Sequence, residues 1–170
     1  LLELVDKRPL NIRAWVLLGH LAHEAKNDEG AVAALQAAAA LEPARVDILN
    51  DLACLYFARG EYEQASDLLG ICVEADHPLP QSFFNLSLCC LMRSDETQAW
   101  VWMERYCRRV RDNAAAYRLL ARLEHGSGNH LLARGFADRA AELEPRNGLI
   151  LIDAAASNAL CWDHDAAIAY

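Results

Sequence analysis

The sequence lacks long apolar runs and CxxC cysteine pairs, and it contains very little lysine. No stretch of about 18 consecutive apolar residues occurs, so we expect no membrane insertion. The six cysteines form no CxxC pair, which argues against a zinc site and a disulfide framework. We therefore expect buried, reduced thiols and a cytoplasmic location. Arginine outnumbers lysine by 14 to 2, a bias that suggests a GC-rich bacterial gene.

Positive charge is also scarce, because the net charge at pH 7 is −8. That balance argues against nucleic acid as a partner and leaves proteins or peptides as the expected class. The charge is uneven along the chain: residues 1–79 carry 6 basic and 13 acidic side chains, whereas residues 80–147 carry 10 and 8. The locally basic middle of the chain indicates where an acidic partner segment would sit.

What the sequence does contain is a 34-residue repeat. A frame that starts at Ile12 begins again at Val46, Pro80, Ala114 and Gly148 without any insertion. Alanine occupies position 20 of every repeat, at Ala31, Ala65, Ala99, Ala133 and Ala167, and leucine occupies position 7 of the first four, at Leu18, Leu52, Leu86 and Leu120. Pro43 and Pro145 fall at position 32, where proline ends a helix. Repetition at this period predicts a helical solenoid.

The first repeat carries the most specific motif. It holds the sequence W-x2-L-G, followed by A-x3-L and a proline, at Trp15, Leu18, Gly19, Ala31, Leu35, Ala38 and Pro43. This order and spacing resemble the tetratricopeptide repeat (TPR) family, and the resemblance extends over essentially the whole chain. It implies an all-α fold, a right-handed superhelix of stacked antiparallel helix pairs. In each repeat, helix A would cover roughly positions 1–14 and helix B roughly positions 15–30.

The repeat frame also predicts the domain organisation. Full repeats are expected at 12–45, 46–79, 80–113 and 114–147, with the end of a preceding repeat at 1–11 and a truncated fifth repeat at 148–170. A solenoid needs polar capping helices, and neither end supplies one. We therefore expect the chain to extend in both directions, or to self-associate through its uncapped ends. In the third repeat Arg111 replaces the proline, which predicts a longer helix B there.

The TPR resemblance implies a concave groove lined by helix A, mainly from positions 2, 5, 9, 12 and 13 of each repeat. The residues at these positions include His23 and Cys54, and the expected peptide-binding set is Arg13, His20, Asn50, Phe57, Phe84, Leu88, Leu91, Arg118 and Arg122. The aromatic and aliphatic members form an apolar patch that the two later arginines follow. Such a surface favours a protein or peptide segment as ligand.

A second candidate surface lies on helix B of the third repeat. Trp100, Glu104, Arg108 and Arg111 share one face at helical spacing and would form a basic, aromatic convex surface. One interpretation is a second docking site carried by Trp100, Arg108 and Arg111. The other is an ordinary solvated helix in which the arginine stems cover apolar surface.

The sequence carries no motif that marks an enzyme. It contains no G-x-S-x-G, and Gly126-Ser127-Gly128 follows a helix, so it is not a phosphate loop. His20, His23 and Glu24 do not form H-E-x-x-H, and we expect neither a metal nor a cofactor. The predicted function is therefore a non-catalytic interaction scaffold.

Two alternative functions remain open. The segment Ile71 to His77, with Phe83-Phe84 and Cys89 or Cys90, resembles the second-to-third repeat junction of class II chaperones of bacterial type III secretion. That resemblance implies a chaperone that holds an apolar client segment. The other alternative is a structural or regulatory spacer within a larger, possibly enzymatic, protein.

Overall fold

The computed structural model describes residues 11–168, with side chains described as far as Cys161. The part described is helical and contains no strand, which confirms the predicted all-α fold class. The helices are α1 (Ile12–Glu24), α2 (Asp28–Leu41), α3 (Val46–Ala58), α4 (Tyr62–Glu74), α5 (Pro80–Met92), α6 (Glu96–Cys107), α7 (Ala114–Gly126), α8 (His130–Leu143) and α9 (Gly148–Ile168). No helix in the described range is long and apolar enough to cross a membrane.

Local sequence explains where several of these helices begin. Asn11, Asn27 and Asn113 each accept a hydrogen bond through Oδ1 from the backbone amide three residues on, at 3.0–3.1 Å. Each bond satisfies one of the amide groups that the first helical turn leaves without a partner. Helix α5 instead starts with Pro80, which has no amide hydrogen to satisfy.

The turns inside the first four repeats share one backbone conformation. Lys26, Gly60, Ser94 and Gly128 all occupy position 15 of their repeats, and their φ angles are 59°, 79°, 61° and 78°. This left-handed residue reverses the chain between helix A and helix B, and the two helices become an antiparallel hairpin. The fifth repeat has Trp162 at this position. A bulky side chain disfavours a positive φ, and α9 continues as one helix to Ile168 instead of turning.

Helix α6 corrects one expectation. The replacement of proline by Arg111 predicts a longer helix, but α6 ends at Cys107 after 12 residues, while α4 has 13 and α8 has 14. The amides of Arg109 and Val110 both donate to the carbonyl of Tyr106 at 2.9 Å, so the chain leaves the helix in a tight turn. Proline is therefore not needed to end this helix.

The chain divides into two compact units, α1–α5 up to Asp95 and α6–α9 from Glu96. The first unit packs Ala31, Val32 and Leu35 of α2 against Leu52 and Leu55 of α3. The second packs its hairpins through small residues, with Ala114, Ala140 and Ile150 in one cluster and Ala121, Ala137 and Ala154 in another. Alanine at these contacts lets neighbouring helix backbones approach closely.

Gly19 meets the same requirement for close approach. A Cβ atom at this buried residue would lie 2.8 Å from Cγ of Leu35. The glycine therefore lets α1 approach α2 closely.

Candidate functional site

A cavity of about 210 Å³ lies between α1 and α3, the A helices of the first two repeats. Its lining residues are Gly19, His20, His23, Leu35, Asp51, Cys54, Leu55 and Ala58. The structure thus brings together His20, His23 and Cys54, three residues that the sequence placed in a groove. Leu35 and Leu55 also line the cavity. Neither residue was among the predicted groove positions.

Two histidine–aspartate pairs lie at this cavity, and three of their four residues, His20, His23 and Asp51, line it. His20 Nε2 lies 2.8 Å from Asp51 Oδ2, and His23 Nδ1 lies 3.3 Å from Asp28 Oδ1. A carboxylate can only accept, so each histidine donates to its aspartate. All four side chains are substantially exposed, from 39% for Asp51 to 55% for His23. The two carboxylates belong to an acidic part of the chain, which carries 5 basic and 12 acidic side chains over residues 11–95.

Cys54 is the solvent-accessible thiol of the cavity. It is exposed, whereas Cys72, Cys89, Cys90, Cys107 and Cys161 are buried, and all six are free thiols. Partial burial of its sulfur in the cavity wall, followed by the charge of Asp51, raises the pKa of Cys54. Burial raises the pKa values of Cys72, Cys89 and Cys107 to about 11. The thiolate is the nucleophilic form and the raised pKa disfavours it, so Cys54 differs from the other cysteines in its access to solvent and not in an activated thiol.

Asn50 is not a groove-lining residue, contrary to the sequence-based expectation. Its side chain is 8% exposed, and its Oδ1 accepts from Ser82 Oγ at 3.1 Å and from Asn85 Nδ2 at 3.3 Å. Asn85 Nδ2 also lies 3.3 Å from Cys54 Sγ. Asn50 therefore joins α3 to α5 and holds the helix that carries Cys54.

Position 6 of helix A supplies a set of side chains that the sequence analysis did not assign to the site. Asp51, Asn85 and Asp153 occupy this position, and each bonds to position 5 or 9 of the preceding helix A. In the second unit, Asp153 of α9 forms an ion pair with Arg118 of α7. The available signal was a polar residue at position 6 in three of the repeats, but its partners are 31 to 35 residues away in sequence.

The apolar groove residues of the first unit are only partly covered. Phe57, Phe84, Leu88 and Leu91 are half-buried, and Met92 is 52% exposed. The ring of Phe57 packs edge-on against Tyr62, with centroids 5.3 Å apart and an interplanar angle of 63°. The positively charged candidates Arg13, Arg118 and Arg122 are exposed, Arg13 in the first unit and the other two in the second.

The convex candidate surface on α6 is less open than its sequence pattern indicates. Trp100 is half-buried, and its Nε1 is buried without a hydrogen-bond partner among the described residues. Arg108 is exposed and forms an ion pair with Glu104 on the same helix. Arg111 is exposed and its carbonyl accepts from Arg139 at 3.4 Å. The guanidinium of Arg105 lies over the ring of Trp102, 4.7 Å from its centroid.

A histidine–serine contact in the second unit has the composition of a nucleophile–base pair, but its hydrogen bond runs from the histidine to the serine. His125 Nε2 lies 2.7 Å from Ser157 Oγ, and Ser157 is 2% exposed. The serine hydroxyl donates to the carbonyl of Asp153 at 2.8 Å, a common arrangement for serine in a helix. His125 Nε2 therefore carries the proton and donates to Ser157, so it cannot act as a base towards it. Nδ1 of His125 then accepts from Nδ1 of His130 at 3.3 Å.

No group of three or more His, Cys, Asp or Glu side chains in residues 11–161 has the arrangement of a metal site. His20, His23 and Glu24, which share one helix, do not form one. The two histidines instead bond to separate aspartates on different helices.

The chain has the fold of a tetratricopeptide-repeat protein. No family model matches it, and no curated protein matches it at the sequence level. Solved structures do match. MamA has 18% sequence identity, and the match covers 94% of this chain and 87% of MamA with a TM-score of 0.82. PilF of Pseudomonas aeruginosa has 21% identity, and the match covers 98% of this chain and 76% of PilF with a TM-score of 0.83. YrrB, described as a TPR protein with an unusual peptide-binding site, matches at 14% identity over 92% of this chain and 81% of that one, with a TM-score of 0.80. The predicted fold class, an all-α repeat fold of antiparallel TPR helix pairs, is confirmed.

Proposed function

We propose that the chain is a non-catalytic scaffold that holds a peptide or protein segment on the face formed by α1, α3 and α5. The cavity between α1 and α3 carries this proposal. It opens between two A helices, the elements that the TPR resemblance assigns to ligand binding, and three predicted groove residues line it.

Two further observations support the proposal. The same unit presents Phe57, Phe84, Leu88 and Leu91 as half-buried apolar residues, and partly exposed aromatic and aliphatic groups are typical anchors for a bound segment. YrrB, a protein of the same fold, has a peptide-binding site.

The test is a selection of peptides followed by chemical footprinting. A phage library of random dodecapeptides is selected on the immobilised chain, and the enriched sequences are synthesised. N-ethylmaleimide is then added at pH 8.5, and mass spectrometry follows the modification of Cys54. Because Cys54 lines the cavity, we expect a bound peptide to slow its alkylation at least about fivefold at saturation.

Two variants with the same added ring provide the control. Ala58→Phe places a phenyl group into the cavity from an exposed position, and it is expected to weaken binding at least about tenfold. Ala40→Phe places the same group on the exposed face of α2 and is expected to leave binding unchanged. If no peptide is enriched, or if every enriched peptide leaves the alkylation rate of Cys54 unaltered, the chain does not bind segments at this face.

A further inference from the structure

We infer that the α1–α3 cavity anchors one aliphatic or aromatic side chain of a partner segment that carries arginine or lysine beside it. The inference rests on the proposed function and specifies the chemistry of the partner. It follows from two properties of the cavity, its volume and the sign of the charge around it.

The volume and the walls fit one apolar side chain. An apolar cavity of about 150 Å³ is large enough to bind benzene, so about 210 Å³ admits a leucine or phenylalanine side chain. Ala58 supplies exposed apolar surface for it, while Leu35, Leu55 and Gly19 line the cavity from the core side. Leu35 is 1% exposed and Leu55 7%, so these walls are fixed by the core behind them.

The acidic surroundings of the cavity favour a basic residue next to the anchoring side chain of the partner. Asp51 and Asp28 place two carboxylates beside the cavity, and both are exposed enough to meet a ligand. The unit around them carries 5 basic and 12 acidic side chains over residues 11–95. A cationic group beside the anchor therefore gains attraction from both the local carboxylates and the wider field, whereas an anionic segment is repelled.

Gly19 helps to maintain the shape of the cavity. A Cβ at Gly19 would meet Leu35 at 2.8 Å and would displace the leucine that forms the cavity wall. The glycine of the repeat motif thus serves packing between α1 and α2, and in this chain it also preserves the shape of the binding cavity.

The peptides selected above test the inference through their sequences. We expect the enriched dodecapeptides to share an apolar residue flanked by arginine or lysine. In a synthetic peptide of that pattern, replacing the apolar residue with alanine is expected to weaken binding about tenfold or more. Replacing the flanking arginines with glutamate is expected to abolish measurable binding in fluorescence polarisation.

A pair of charge variants locates the effect. Asp51→Asn keeps the shape of the side chain and removes its charge, and it is expected to weaken binding of the basic peptide about two- to fivefold at low salt. Asp67→Asn makes the same change of net charge on an exposed site of α4, outside the cavity, and is expected to have a smaller effect. The difference between the two variants should vanish in about 1 M NaCl, where the Debye length is about 3 Å.

The possible outcomes separate this inference from the proposed function. If peptides protect Cys54 but share no apolar–basic pattern, or if the two asparagine variants bind equally, the inference about the partner is wrong while the peptide-binding role stands. If no selected peptide protects Cys54, both are wrong. Enrichment of acidic peptides that protect Cys54 would reverse the predicted sign of the partner.

Discussion

At the scale of single residues, hydrogen-bond direction fixes the chemistry of this molecule more than residue type does. His20 and His23 donate to carboxylates, and Asn50 of α3 accepts a hydrogen bond from Ser82 of α5. His125 provides the clearest case, because Ser157 donates to a backbone carbonyl and thereby assigns the proton of His125 to Nε2. A neutral His125 then accepts from His130 at Nδ1, so protonation of His125 would reverse or break that contact.

A pH dependence follows from that network. Burial, and then the proximity of His130, lower the pKa of His125 below its usual value of 6.5. On acidification the unfolded chain therefore takes up this proton before the folded chain does. The stabilisation is complete above about pH 6.5 and is lost as the pH falls from there through the folded pKa.

We expect the thermal midpoint of the wild type to fall more steeply between pH 7.5 and 5.5 than that of His125→Gln. Glutamine keeps a donor towards Ser157 but does not titrate. His77→Gln, which removes an exposed histidine from the α4–α5 loop, should retain the steep fall. The thermal midpoints are measured by circular dichroism at each pH. If the midpoint of His125→Gln falls as steeply with pH as that of the wild type, the proposed network is contradicted.

At the scale of elements, each hairpin depends on one left-handed residue. Gly60 and Gly128 adopt that conformation without a steric penalty, whereas Lys26 and Ser94 carry a side chain at φ of 59° and 61°. A residue other than glycine pays about 1–2 kcal/mol for this region. The turns after α1 and α5 are thus strained compared with the turns after α3 and α7.

Glycine at the strained positions should therefore stabilise the fold. We expect Ser94→Gly to raise the thermal midpoint by about 1–3 °C, since the relieved strain exceeds the added entropy of the unfolded chain. Ser127→Gly is the matched control, because Ser127 lies next to the equivalent turn residue with an ordinary φ of −85°. This control should lower the midpoint, and a fall for Ser94→Gly as well would show that the turn is not strained.

Sequence reasoning reached the elements more fully than the site, for a physical reason. Turn glycines and helix caps act within a few residues, and the repeat recurs every 34 residues. Both kinds of signal can therefore be recognised from the sequence alone. The end of α6 was missed because the tight turn after Tyr106 stops that helix without a proline. The bonds of Asp51 and Asn85 were missed because they join separate repeats and depend on how the helices pack.

At the scale of the whole molecule, the two units differ in charge. The first has 7 basic and 14 acidic side chains over residues 1–95, and the second has 9 and 10 over residues 96–170. The cavity, the histidine–aspartate pairs and Cys54 all belong to the first unit. The proposed anchoring site is therefore complete within residues 11–95.

Repeat proteins hold each repeat mainly through its nearest neighbours, so a shorter array can fold. We expect a fragment of residues 11–95 to show a helical circular dichroism spectrum and a cooperative thermal transition. It should bind a peptide that protects Cys54 in the whole chain with an affinity within about threefold. The same fragment with Ala58→Phe serves as the control for binding at the cavity. A helical fragment that fails to bind would show that α6–α9 take part in the site.

The cavity has one more consequence, because its walls belong to consecutive repeats. A guest side chain in that gap would contact two hairpins at once, since Gly19, His20 and His23 belong to the first and Asp51, Cys54 and Leu55 to the second. Filling the pocket would therefore cross-link two neighbouring repeats without altering either helix, and amide hydrogen exchange in α1 and α3 is expected to slow together when a peptide is bound.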